Sequence, residues 1–332
     1  SEVQEGLTTL RERCKARGLV LETGGVAFGG SIAYGLDTPE SDVDLRGFVL
    51  PSARDILSLR DFETLRAEEG LDATLYSLPK LCRLLLACNP NAIEILGVRD
   101  EHILVDSQAF RALRSHPEWF VSRRCATTFG GYATQQLRRI ENAMNREDAQ
   151  AVARNATRSM ESALESVPER YPTLASSQFE IGDSGDDVTL SGTLCQAGLA
   201  DLKAFADSCY EISKNAANLA ARNRKKDSGK LAKHASHLIR LLRMGSEMLE
   251  TGAIATWREE DRELLVAIKR GKWLHEADDG TRSYDEEFWE LLNREEARFD
   301  RAKRETSLPD APDEEAVWDF IRDTNRLVVS LE

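Results

Sequence analysis

No signature of the common hydrolase or P-loop classes occurs in this chain. It has no G-x-x-x-x-G-K-[ST] phosphate loop, no H-E-x-x-H zinc pair and no G-x-S-x-G nucleophile elbow, so those enzyme classes lack their marks. No apolar run approaches the roughly 18 residues needed to span a bilayer, and the opening SEVQEGLTTLRERCK is charged rather than signal-like. A soluble, cytoplasmic protein with no membrane partner is the expectation. Positive charge is in short supply: 44 Lys and Arg against 57 Asp and Glu give a net charge of −13. Such a balance argues against indiscriminate coating of nucleic acid, which depends on neutralising phosphates. Six cysteines (Cys14, Cys82, Cys88, Cys125, Cys195, Cys209) form no C-x-x-C pair and no metal-finger spacing, and read as buried free thiols of a reducing compartment. Repeats and low-complexity tracts are absent.

What remains is globular material. A chain of 332 residues, 41% hydrophobic and 30% charged, is long enough for two domains. Residues 2–17 read as an amphipathic helix closed by Gly18. Strands are expected at 19–22, 25–28, 42–50 and 71–78, with helical or extended segments between and after them up to Arg114. From about Glu118 the pattern becomes helical, over 118–145, 147–166, 196–224, 228–250, 259–270, 284–304 and 313–328. One interruption, residues 178–194, alternates around Gly182-Asp183-Ser184-Gly185 and predicts a β-hairpin. The expected architecture is α+β: a mixed sheet with flanking helices in residues 1–117, then a mainly helical domain with a small hairpin in 118–332. The sequon Asn155-Ala156-Thr157 lies in a helical stretch and is set aside. The five tryptophans are too dispersed for a base-stacking platform and read mostly as core.

The chemistry concentrates between Gly29 and Gly47, GGSIAYGLDTPESDVDLRG. A small-residue turn lets backbone N–H groups approach a phosphate, Ser31 adds a hydroxyl, and Ile32–Tyr34 opens a helix. Ten residues on, Asp42 and Asp44 flank one valine, and on a strand such a pair shares a face. Two carboxylates side by side repel unless cations lie between them, and hard oxygen donors suit Mg²⁺, which keeps waters and borrows substrate phosphates. The bland alternative is a solvated pair at a sheet edge. Arg46 falls on the same face as Asp44, to hold the acids or to touch substrate. Downstream, Lys233, His237 and Arg240 stand at i, i+4 and i+7, one cationic face of a helix if Asp227 or Ser228 caps it, or simply a solvated basic face. Arg123, Arg124, Arg138 and Arg139 are candidates for an acceptor groove, though each alone reads as a surface charge.

The G-G-S turn followed by D-V-D resembles the signature of the DNA polymerase β-type nucleotidyltransferase superfamily. The segments GSIAYGLDTPESDVDLRGF, NPNAIEIL (89–96) and KHASHLIRLL (233–242) look like its RNA-repair-associated, RlaP-type branch, with matching residues scattered from about 25 to 310. The resemblance implies a polymerase-β-type core and two Mg²⁺ ions held by Asp42, Asp44 and a third acid on a later strand, for which Asp72 is the candidate. It also implies an NTP, with ATP the expected one, bound through Gly30, Ser31, Arg46, Lys233, His237 and Arg240. Transfer of a nucleoside monophosphate to an RNA end or another nucleic-acid hydroxyl follows, with a protein or small-molecule acceptor as the alternative. A catalytically silent nucleotide- or partner-binding module is the reading from a different class, and Asp72 discriminates the two. Glu94, in NPNAIEIL, matches a recurrent family position, either closing a nucleotide pocket or capping a helix.

Overall fold

The computed structural model describes residues 2–39, 41–60, 62–67, 72–144, 149–165, 167–183, 188–223, 228–278 and 282–331. The chain opens with α1 (Glu2–Ala16), whose Leu7, Leu10 and Cys14 are buried. The segment expected as a strand at 19–22 instead tightens into a 3₁₀ turn at Leu21–Thr23, closed by the Gly24 N–H on Leu21 O. Then follow β1 (Gly25–Phe28), α2 (Gly30–Tyr34), β2 (Asp44–Val49), α3 (Ala53–Leu57), β3 (Thr64–Ala67) and β4 (Asp72–Ser77). The sequence gives no sign of β3. Next come α4 (Leu78–Leu86), α5 (Pro90–Ile93), β5 (Ile103–Asp106), α6 (Gln108–Ser115) and α7 (Arg124–Met144). Ser77, Asn89 and Ser107 cap α4, α5 and α6 by accepting from first-turn N–H groups, and Pro79 and Pro90 sit where a missing N–H costs nothing.

The five strands form one mixed sheet in the order β3-β4-β2-β1-β5. β2 and β4 run parallel, and the other neighbours are antiparallel. Val26, Leu45, Ala73 and Leu75 project to one face and are fully buried against Leu7, Leu10 and Leu21. Each such leucine contributes about 1.5–3 kcal/mol by leaving water. The α+β class is therefore as expected.

The later helices are α8 (Ala149–Glu165), α9 (Val167–Arg170), α10 (Leu199–Asn223), α11 (Ser228–Thr251), α12 (Arg262–Lys269), α13 (Glu286–Glu305) and α14 (Glu314–Leu331). The hairpin expected at 178–194 forms as β6 (Gln178–Asp183) and β7 (Val188–Thr193), with its turn, 184–187, outside the described residues. A second hairpin, β8 (Leu274–Glu276) with β9 (Arg282–Tyr284), was not legible in strands of three residues. The chain does not divide at a single point. One compact unit comprises residues 1–133, 236–268 and 289–332, and so contains the expected catalytic domain 1–117; the other comprises 134–235 and 269–288. The second unit has its own small core of Val167, Tyr171, Leu174 and Phe205. No described helix is long and apolar enough to cross a membrane.

Two expectations are corrected. Cys88 and Cys125 form a disulfide, 37 residues apart, because the left-handed turn at Cys88 (φ 52°) and the first turn of α7 bring their Cα atoms to 5.3 Å. Cys195 is exposed, and only Cys14 and Cys82 are buried free thiols. Denatured but unreduced protein is expected to titrate as four thiols, and reduction to lower unfolding free energy in urea by about 3–4 kcal/mol, the loop-closure value for this separation. Six thiols would refute the bridge. Nor are the tryptophans core: none of the five is fully buried, and Trp318 is exposed.

Candidate active site

The glycine turn is built around two side chains of β2. β1 and β2 are antiparallel neighbours, with Phe28 opposite Leu45, and the Gly29 N–H donates to Asp44 O at 2.8 Å, which pins the turn to the start of β2. A Cβ on Gly29 would lie 2.9 Å from Arg46 Cγ, and one on Gly30 would lie 2.7 Å from Asp44 Oδ2. Gly30 also has φ +54°, where a side chain costs about 1–2 kcal/mol. The turn thus accepts glycine for two independent reasons, backbone conformation and the space the carboxylate occupies. Gly30→Ala is expected to lower stability by about 1–2 kcal/mol in chemical denaturation and to reduce activity further by displacing Asp44. After the turn, α2 runs only five residues and stops at Gly35 (φ 71°), whose N–H returns to Ile32 O. Ser31 is half-buried at its first turn.

Asp44 opens β2, and its register partner on the parallel strand β4 is Asp72. Partners in register on adjacent strands lie about 4.8 Å apart and project to the same face. Asp42 does not lie on the strand. It is exposed in the loop ahead of β2, so the shared-face argument made for Asp42 and Asp44 applies instead to Asp44 and Arg46. Arg46 Nη2 lies 3.5 Å from Asp44 Oδ2. The three acids interact: burial pushes the Asp44 carboxyl up from its ordinary value, Arg46 opposes this, and the charges of Asp72 and Asp42 add to it. Relief of that repulsion is what a cation would supply.

Among the described residues, no group of three or more His, Cys, Asp or Glu side chains closes into a metal cage. The donor set nevertheless fits a hard divalent ion. Asp44 and Asp72 are neighbouring carboxylates on one face, and Mg²⁺ ordinarily completes its shell with water and substrate phosphates rather than with a full protein cage.

Behind the acids stands a buried chain of partners that the sequence did not reveal. Arg46 Nε lies 3.2 Å from Glu94 Oε1, and the Tyr34 hydroxyl donates to Glu94 Oε2 at 2.5 Å. Glu94 is 3% exposed and Tyr34 2%. The Glu94 backbone carbonyl accepts from Thr256 Oγ1 at 2.7 Å. The Arg240 guanidinium stacks on the Tyr34 ring, 3.4 Å from its centroid. Burial pushes the Glu94 carboxyl up, while Arg46, Arg240 and the Tyr34 hydroxyl pull it back. Burial disfavours the Arg46 charge, and Glu94 and Asp44 more than restore it. Glu94 stands at the C-cap of α5, its backbone N–H donating to Ala92 O, while its side chain turns inward to orient Arg46 and, through Tyr34, the short helix after the turn. The available signal was a lone carboxylate among Ile93, Ile95 and Leu96, since a charge in such company needs a partner. Tyr34 had none beyond a hydroxyl inside the motif.

The other basic candidates separate. Arg240 reaches α2 through Tyr34; His237, one turn earlier on α11, is half-buried, and Lys233 is exposed and belongs to the other compact unit. Residues 224–227 of the basic stretch, including the proposed cap Asp227, lie outside the described residues. Arg123 donates to the carbonyls of Thr306 and Leu308, and Arg124 to that of Leu86, so both stitch α7 to neighbouring segments. Arg139 contacts Gln136, and Arg138 is half-buried.

A mixed sheet with a glycine turn at one strand end and paired aspartates on adjacent parallel strands is consistent with the polymerase β-like class. The family model described as RlaP, RNA repair pathway DNA polymerase beta family, matches residues 26–322, and the chain belongs to that family. Membership points, at the level of the family, to a nucleotidyltransferase associated with RNA repair. No curated protein and no solved structure matches the chain.

Proposed function

We propose that this protein transfers a nucleoside monophosphate from an NTP, with ATP preferred, to the terminal hydroxyl of an RNA, releasing pyrophosphate in a Mg²⁺-dependent reaction. The observation that carries the reading is the pairing of Asp44 with Asp72 across parallel strands beside the Gly29-Gly30-Ser31 turn. The acceptor oxygen attacks the α-phosphorus, the bond to the bridging oxygen breaks, and pyrophosphate departs. Asp72, exposed at the start of β4, is the group to take the proton of the attacking hydroxyl. Asp42, Asp44 and Asp72 would hold the metal, which when bound supplies charge neutralisation at the phosphates and lowers the pKa of a coordinated hydroxyl.

The chain's own work is positional. Ser31 and the N–H groups of the turn offer donors to the phosphates, and Gly30 leaves them room to approach. Arg46, held by Glu94 and Asp44, and Arg240, held on the Tyr34 ring, supply fixed positive charge without the entropy of ordering a free side chain. His237, one turn before Arg240 on α11, is the next candidate to meet the phosphates. Because the protein forms no covalent bond to the nucleotide in this scheme, rate enhancement rests on orientation and electrostatics.

The test supplies each NTP labelled at the α-phosphate, with Mg²⁺, to RNA, protein and metabolite fractions. Label joined to RNA supports the reading; label joined only to protein or to a small molecule moves the acceptor, and no label anywhere defeats transfer.

A further inference from the structure

A cavity of about 490 Å³ lies within the first compact unit, lined largely by arginine and carboxylate side chains that the proposed reaction does not use. Its inner wall is densely paired. Arg258 is buried and forms a two-pronged pair with Glu247, both contacts 2.6 Å, and a second with Asp261 at 2.7 and 3.1 Å. Arg243 reaches Glu295 at 2.8 Å and Asp261 at 3.4 Å. Three carboxylates are thereby engaged by two arginines, which leaves this wall with one net negative charge. Yet the Nε of Arg243 is buried with no hydrogen-bond partner among the described residues, a donor left over on this wall.

The outer wall differs. α13 presents Arg294, Arg298 and Arg301 at i, i+4 and i+7, one face of the helix. Arg298 pairs with Glu250 at 2.6 and 3.0 Å through Nη2 and Nε, leaving the Nη1 donors. Arg294 and Arg301 are exposed and have no ion pair among the described residues, and Glu260 is the one lining carboxylate not engaged by an arginine among them. The segment that carries Arg258 is tied to the end of α2, the Arg258 backbone N–H donating to Tyr34 O at 3.1 Å and Arg262 Nε to Gly35 O at 2.6 Å.

We propose that this arginine-lined cavity is a second binding site, taking the phosphodiester backbone of a single-stranded nucleic acid. Rigid, planar donors in a row match successive phosphate oxygens, and guanidinium is the group that recognises them with two hydrogen bonds. The outer row Arg294, Arg298 and Arg301, rather than the net charge of the chain or of the inner wall, is the part that meets the phosphates. It rests on the nucleotidyl-transfer reading only in the choice of nucleic acid as the polyanion.

The experiment measures fluorescence anisotropy of a fluorescein-labelled single-stranded RNA 12-mer across a salt series, with the full chain and with the double variant Arg294→Gln, Arg301→Gln. Both residues are exposed and in no ion pair among the described residues, and Arg301 favours the Glu250 carboxylate only by its nearby charge, so the variant is expected to unfold close to the temperature of the parent. Its affinity at about 50 mM salt is expected to fall at least about tenfold, and its log–log salt slope to decrease by about 1.4, the value for two lost phosphate contacts to a single strand. The variant Arg294→Lys, Arg301→Lys is expected to recover the slope but only part of the affinity. Unchanged affinity and slope in the glutamine variant, or absence of RNA binding by the parent chain, overturns the proposal. Nucleotide binding, followed by calorimetry in the same variants, is expected to be unaltered; a site that loses NTP as well as RNA is the nucleotide site and not a second one. If RNA binds through these arginines while no NTP supports transfer, the cavity stands and the proposed reaction fails.

Discussion

Replacement of Asp44 by asparagine is expected to reduce the rate of nucleotidyl transfer on the order of 10³-fold or more and to leave the fold intact. The two halves of that expectation have one origin. Asp44 opens β2 in register with Asp72, where burial, then the neighbouring acids, raise the cost of its charge and only Arg46 opposes them. An amide of the same shape removes the repulsion, so the metal-free variant is expected to match or slightly exceed the parent in thermal unfolding. The same amide is a poorer ligand for a hard cation and cannot balance Arg46. Sites that assemble like charges for a reaction commonly give up stability to do so. Single-turnover assays with α-labelled NTP, run beside thermal unfolding, check both halves. A variant that transfers at the parent rate would remove Asp44 from the chemistry.

The largest stability effect is expected at Glu94. Its carboxylate is buried and shared between Arg46 and the Tyr34 hydroxyl, so truncation to alanine leaves a half-buried cation with Asp44 alone and a buried phenol without its acceptor. Breaking a buried pair from one side costs about 3–5 kcal/mol, much more than a surface pair, because the remaining charge stays desolvated. Glu94→Ala is expected to lose stability in that range in urea unfolding. Tyr34→Phe removes only one hydrogen bond to a charged group and is expected to lose about 1.5–3 kcal/mol. Since Glu94 orients Arg46 rather than touching substrate, Glu94→Gln, which keeps the shape, is expected to raise KM for NTP more than it lowers kcat. A loss below about 1 kcal/mol in the alanine variant would contradict the buried chain of partners.

How much of this was legible follows from range. The glycine turn, the aspartates and the helical periodicities are local patterns, read from a few consecutive residues, and the corresponding elements lie within a few residues of where periodicity puts them. Asp42 was misplaced by one structural step: the apolar run that marks β2 begins at Val43, but the strand begins at Asp44, paired with Asp72 of β4, and its register with β1 begins at Leu45. β3 escaped notice because four residues, Thr64–Ala67, are too few to show alternation on an edge strand. What could not be read were the long-range partnerships. Nothing in the sequence says that Glu94 meets Tyr34 sixty residues away, that Cys88 meets Cys125, or that residues 236–268 and 289–332 fold with the first 133. Each is set by packing, which a single sequence does not display.

The central claim is that this chain moves the α-phosphoryl group and its nucleoside, not the γ-phosphoryl group. The most direct measurement supplies one NTP labelled at both the α- and γ-phosphates, with Mg²⁺ and RNA, and follows where each label goes. The account expects α-label on the RNA, γ-label in released pyrophosphate in equal amount, and neither in the Asp44→Asn variant. Recovery of γ-label on RNA or protein, or undiminished α-label transfer by the variant, would contradict it.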